Sequence, residues 1–126
     1  MLKRDEILSK KELRREKVSI PEWGGDVFVS EMSAESRDEW EQAIVTRDKN
    51  KNLQNPRAKL AVATIVDENG ERIFTDDDIN KVGKLSASVL DRICLVAQKL
   101  NKLMDRDLED AKGNLHADPS GVSISR

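Results

Sequence analysis

Ser-Ala-Ser-Val-Leu-Asp-Arg-Ile-Cys-Leu-Val-Ala-Gln-Lys-Leu-Asn-Lys-Leu-Met, residues 86–104, is the stretch on which the fold turns. Val89, Leu90, Ile93, Val96, Ala97, Leu100, Leu103 and Met104 recur at spacings of three and four, the period of one helix face. Ser86 has the side chain to cap the first turn, and Gly113 can close the last. The spacing predicts the longest helix of the chain, from about Ala87 to Asp110. Its apolar stripe is wide enough to serve a core or a contact with another chain.

Upstream, Thr75 opens a short predicted helix with Asp76, Asp77 and Asp78 in its first turn, where anions suit the positive helix end. Gly83 can end it. Asp67-Glu68-Asn69-Gly70 reads as a turn, followed by an extended piece over Glu71–Phe74. Residues 57–66 hold Ala58, Leu60, Ala61, Val62, Ala63, Ile65 and Val66. The segment is core, but its alanines favour helix and its β-branched residues favour strand; helix is the preferred reading. Residues 48–56 are a polar loop closing on Pro56. Ser33 caps a predicted helix from Ala34 to Lys49 with Trp40, Ala43 and Ile44 on its apolar side.

The N-terminal third differs. Val18 and Ile20 alternate with polar neighbours, as do Val27 and Val29, around Pro21-Glu22-Trp23-Gly24-Gly25. Two alternating runs about a glycine turn predict a β-hairpin over residues 17–30, with Trp23 folded back as a lid over one face. Residues 1–16 read as a charged arm or weak helix. The first 20 residues carry seven Lys/Arg against four Asp/Glu, a net of +3. The fold class is therefore α+β and mainly helical: a small N-terminal hairpin with three or four helices, the C-terminal one longest. Residues 17–112 form one globular domain, and 113–126 a disordered tail.

Composition narrows the function. Of 126 residues, 37% are charged, above the ~25% of an average chain, and the formal net charge is −2. Nothing global draws such a chain to nucleic acid or anionic lipid. No apolar run approaches the ~20 residues that span a bilayer, and the charged N-terminus has no signal-peptide core. One Cys and one His cannot make a zinc site. Cys94 lies in the apolar stripe and His116 in the tail, so no nucleophile–base pair is apparent. Asp67 to Asp78 imitates a calcium loop, but position six is Arg72 and position twelve Asp78, where the EF-hand requires Gly and Glu. Gly24-Gly25 lacks the Lys-Ser/Thr of a phosphate loop. Residues 75–92 imitate a helix-turn-helix, yet three aspartates head the first helix, and Lys84 and Arg92 are the only basic residues from the turn onward. Catalytic, cofactor and metal residues are therefore not assigned. A binding protein of the cytoplasm is expected.

Val-x-Ile-Pro-Glu-Trp-Gly-Gly-x-Val-x-Val (18–29), an Ala-rich apolar segment, Asp-Glu-Asn-Gly-Glu-Arg-Ile-Phe-Thr-Asp-Asp-Asp-Ile (67–79) and a final helix with Leu100-Asn101 follow in order. Over about residues 15–104 this resembles the tail assembly chaperones of long-tailed, lambdoid-type bacteriophages. The resemblance implies a chain that binds the tape measure protein, keeps that long apolar helical client soluble and helps recruit tail tube subunits. It implies action in the host cytoplasm, absence from the mature virion, self-association into a homo-oligomer, and in many members a longer form made by frameshifting. Aromatic and stripe residues are the candidate partner contacts: Trp23, Trp40, Phe74, Val89, Ile93 and Leu100. Alternatives are a helix-turn-helix regulator and a structural head-tail component.

Overall fold

The computed structural model describes residues 1–44 and 54–103. In chain order these form α1 (Arg4–Leu8), β1 (Arg15–Ile20), a 3-10 turn (Pro21–Trp23), β2 (Gly25–Ser30) and α2 (Ala34–Ile44). Then follow α3 (Pro56–Thr64), β3 (Ile65–Val66), a 3-10 turn (Asp76–Asp78), α4 (Ile79–Val82) and α5 (Ala87–Asn101). The architecture is α+β and mainly helical, with the hairpin where alternation placed it. The predicted tail over 113–126 lies outside the described residues, as does the rest of the helix expected to reach Lys49. No described helix is long and apolar enough to cross a membrane.

The sheet has three antiparallel strands in the order β1-β2-β3, one more than the sequence pattern indicated. Val18 pairs with Val27 and Glu16 with Val29, which sets Val18, Ile20, Val27 and Val29 on one face. Ile20 and Val29 are wholly buried there. Phe28 lies on the other face, beneath the Arg15 guanidinium at 5.1 Å and the Lys17 ammonium at 5.8 Å from its ring centre. The two cations give this aromatic a polar roof while the neighbouring strand covers its flank.

Residues 57–66 resolve into both alternatives. Pro56 opens α3 at its first position, where the missing N–H is no loss. The helix ends at Thr64, whose hydroxyl donates to the Leu60 carbonyl at 2.7 Å and lets a polar residue sit fully buried. Ile65 and Val66 then leave the helix and pair with Val29 and Phe28. The Asp67–Gly70 turn holds as expected: the Asp67 carboxylate accepts from Asn69 N–H (2.8 Å) and Glu71 N–H (3.0 Å), and Gly70 adopts φ 85°. Arg72 bridges back to Val66.

Between the sheet and the helices lies one core. It takes Trp40 and Ile44 from α2, Leu60 and Val62 from α3, and Val89, Leu90, Ile93 and Ala97 from α5. Each fully buried Ile or Leu contributes roughly 1.5–3 kcal/mol, so the stripe of α5 is the main organiser of the domain. Ser86 caps it as expected, its hydroxyl accepting from Val89 N–H. The helix does not run to Asp110. It stops at Asn101, with Lys102 left-handed at φ 53°. Two distant arginines take its last carbonyls: Arg14 donates to Leu100 (3.1 Å) and Arg37 to Asn101 (2.9 Å). Gly83 ends α4 as expected, with an ordinary φ of −62°, and a Cβ there would lie 2.8 Å from Asn55 Oδ1, so close approach also favours glycine.

Candidate partner-binding surface

The hairpin tip is a 3-10 turn closed by a glycine. Ile20 points into the core, and Gly24, left-handed at φ 77°, closes the 3-10 turn by donating to the Pro21 carbonyl at 3.0 Å. Glu22 then turns towards α5. Both its oxygens accept from Arg92, at 2.9 and 2.7 Å, in a two-pronged ion pair. That hydrogen bonding holds the Glu22 carboxyl down at about 2. The carboxylate thus stays charged through the whole physiological range. With Ile20 facing in and Glu22 pinned sideways, Trp23 remains 41% exposed. It is therefore partly covered and partly open to solvent.

Leu95 follows Arg92 by three residues on α5 and is 53% exposed. Arg92 and Leu95 lie about one helical turn apart on α5, and the ion pair ties the hairpin tip to that helix. A second apolar group lies at the N-terminus. Met1, Leu2, Ile7, Leu8 and Leu13 are five of the nine large exposed apolar residues among those described. The sequence contains all of these, but the surrounding charge hid the arm's leucines, and Leu95 falls off the three-and-four pattern of its own helix.

The other expected contacts are placed differently. Trp40, Val89 and Ile93 are buried in the core, and Phe74 and Leu100 are half-buried against it. Of the six, only Trp23 meets solvent to any large extent. Cys94 is buried beside α3, its thiol donating weakly to the Arg57 carbonyl. Burial, then the Asp91 charge, pushes the thiol up to about 12. A native chain at pH 8 is expected to resist iodoacetamide for hours and to be alkylated within minutes in 6 M guanidinium, read by mass spectrometry. Rapid native labelling would contradict the burial. Arg92, the basic residue in the first half of the would-be DNA-reading helix, is occupied by Glu22, and the preceding helix α4 has four residues.

A family model described as phage tail assembly chaperone matches residues 3–114. Among solved structures, the tail assembly chaperone of bacteriophage HK97 is similar, with a TM-score of 0.57 and 24% identity, covering 79% of this chain and 94% of that one. At that identity the likeness speaks for the fold. No curated protein matches.

Proposed function

Since the chain belongs to the phage tail assembly chaperone family, a non-enzymatic one, we propose that it binds the tape measure protein of its phage and keeps it soluble. In the same reading it helps recruit tail tube subunits, self-associates, acts in the host cytoplasm and leaves before the virion matures. The observation that carries the reading is Trp23. A tryptophan 41% exposed sits at the hairpin tip, next in the chain to Glu22, which is ion-paired with Arg92 of α5. Trp and Arg are the residue types that most often dominate protein contacts. An apolar helical client meets such an anchor with its own apolar face, while the charged remainder of the surface keeps the complex dissolved. The regulator alternative gains nothing from an Arg92 that is already paired.

Co-expression with the tape measure protein of the same genome tests this. The client is expected in the soluble fraction, co-eluting with this chain, and in inclusion bodies without it. Trp23→Ala is expected to leave stability within about 0.5 kcal/mol, because the residue is exposed. It is expected to cost at least ~2 kcal/mol of client affinity, roughly thirtyfold in Kd. A client equally soluble with and without this chain would remove the reading. Unchanged affinity of Trp23→Ala would move the contact elsewhere on the surface.

A further inference from the structure

The sheet ends on an open edge. β1 is the outer strand, and its pairing has a parity: Glu31 N–H donates to the Arg14 carbonyl, so the main chain of Glu16, Val18 and Ile20 likewise bonds towards β2. The N–H and C=O groups of Arg15, Lys17 and Ser19 therefore point the other way, and no described group pairs with them. All three residues are exposed. Such an edge is a ready template for one more strand.

Two observations indicate which strand. The first is where the described chain stops. α5 runs from the hairpin tip, where Arg92 meets Glu22, to the opposite end of the sheet, where Arg14 holds the Leu100 carbonyl. The chain turns back at the left-handed Lys102, and the described residues end at Leu103. The next three residues reach about 10 Å when extended, which brings residue 106 within range of Glu16. The second observation is the sequence that follows. Residues 105–109 are Asp-Arg-Asp-Leu-Glu. Laid parallel to β1 with Asp107 opposite Lys17, they set Asp105 by Arg15, Arg106 by Glu16 and Leu108 by Val18. Three positions then pair opposite charges, and the fourth pairs two apolar side chains. A slip of one residue fails in either direction: it sets Asp105 on Glu16 and Arg106 on Lys17, or Arg106 on Arg15 and Asp107 on Glu16. Neither Glu16 nor Lys17 is in an ion pair among the described residues. Arg15 already reaches over Phe28 to the Glu68 carbonyl at 2.7 Å, so the match rests on Glu16, Lys17 and Val18.

We infer that residues 105–109 add to the open edge of β1 of the same chain as a further strand, parallel to it. The N–H groups of Lys17 and Ser19 then donate to carbonyls of the added strand, and the edge is closed. Ion pairs at the surface set the register, so added salt weakens the docking.

Amide hydrogen exchange followed by NMR tests it on the full chain and three full-length variants: Lys17→Glu, Asp107→Lys and the two together. In the parent, the amides of Lys17 and Ser19 are expected to be protected, to the same degree at every protein concentration. Each single variant sets like charges opposite each other and is expected to lose roughly threefold to tenfold of that protection; the double variant swaps the pair and is expected to regain it. The amides of Val18 and Ile20 bond to β2 and are expected to stay protected in all four proteins, which shows that the sheet remains folded. Parental amides of Lys17 and Ser19 that exchange at the free-chain rate would overturn the inference. So would a loss in Lys17→Glu that Asp107→Lys does not repair. Protection that grows with concentration would overturn it as well, because the strand would then come from a second copy.

Discussion

Trp40→Ala is expected to destabilise the domain by about 3–5 kcal/mol, the usual cost of truncating a large buried aromatic. That is roughly a fifth or more of a typical domain's whole stability, and in a domain of this size it lowers Tm by about 10 °C or more. Trp40 is 4% exposed and carries α2 onto the core, with Ile44 one turn further along. Its indole N–H, however, is the one buried side-chain polar atom without a hydrogen-bond partner among the described residues. A buried unpaired donor costs roughly 1–3 kcal/mol. Trp40→Phe removes that donor and keeps a ring, so relief of the penalty offsets the smaller volume, and the net change is expected within about 1 kcal/mol of zero. Urea unfolding followed by circular dichroism reads both variants. If Phe costs as much as Ala, the N–H has an acceptor and the offset argument fails.

How much of this was visible in the sequence depends on how local the cause was. The stripe of α5 and the hairpin follow from spacing alone, and Val89, Leu90, Ile93, Ala97, Ile20 and Val29 are buried as their period requires. The Ser86 cap and the Asp67–Gly70 turn are equally local, settled within four residues. The third strand was hidden because Ile65 and Val66 close an Ala-rich run in helical register, and only their pairing with β2 makes them a strand. The end of α5 was hidden for a similar reason. Apolar spacing continues to Leu103 and Met104, but the chain turns left-handed at Lys102, and Arg14 and Arg37, 86 and 64 positions from their acceptors, take the freed carbonyls. The candidate surface was the least legible part. Aromatic residues generally favour burial, which suits Trp40 and half-suits Phe74, whereas Trp23 stays 41% exposed at a hairpin tip that is tied to α5 by Glu22 and Arg92. Chain neighbours state nothing about a contact of that span.

Asn101→Ala is expected to cost about 2–4 kcal/mol, although it removes only a short polar side chain. Asn101 ends α5 and is buried, and its amide uses both ends. Oδ1 accepts from Met32 N–H at 2.6 Å, while Nδ2 donates to the carbonyls of Ala97 (2.9 Å) and Ser30 (3.4 Å). Ser30 closes β2, and Met32 lies in the crossover to α2, so this one side chain joins the sheet, α2 and α5. Truncation leaves Met32 N–H without this acceptor and the Ser30 carbonyl without this donor. Asn101→Leu keeps the volume and loses the same bonds, so it is expected to rank with Ala. Asn101→Asp separates the two ends of the amide. It preserves the acceptor for Met32 but sets a second oxygen against two carbonyls, and is therefore expected to be at least as damaging as Ala at pH 7. Urea midpoints for the three variants give the order directly. A well-tolerated Asp would mean that Arg37, whose guanidinium already donates to the Asn101 carbonyl, had turned to the new carboxylate. The knot at Asn101 would then depend on charge, and not on the paired donor and acceptor of the amide.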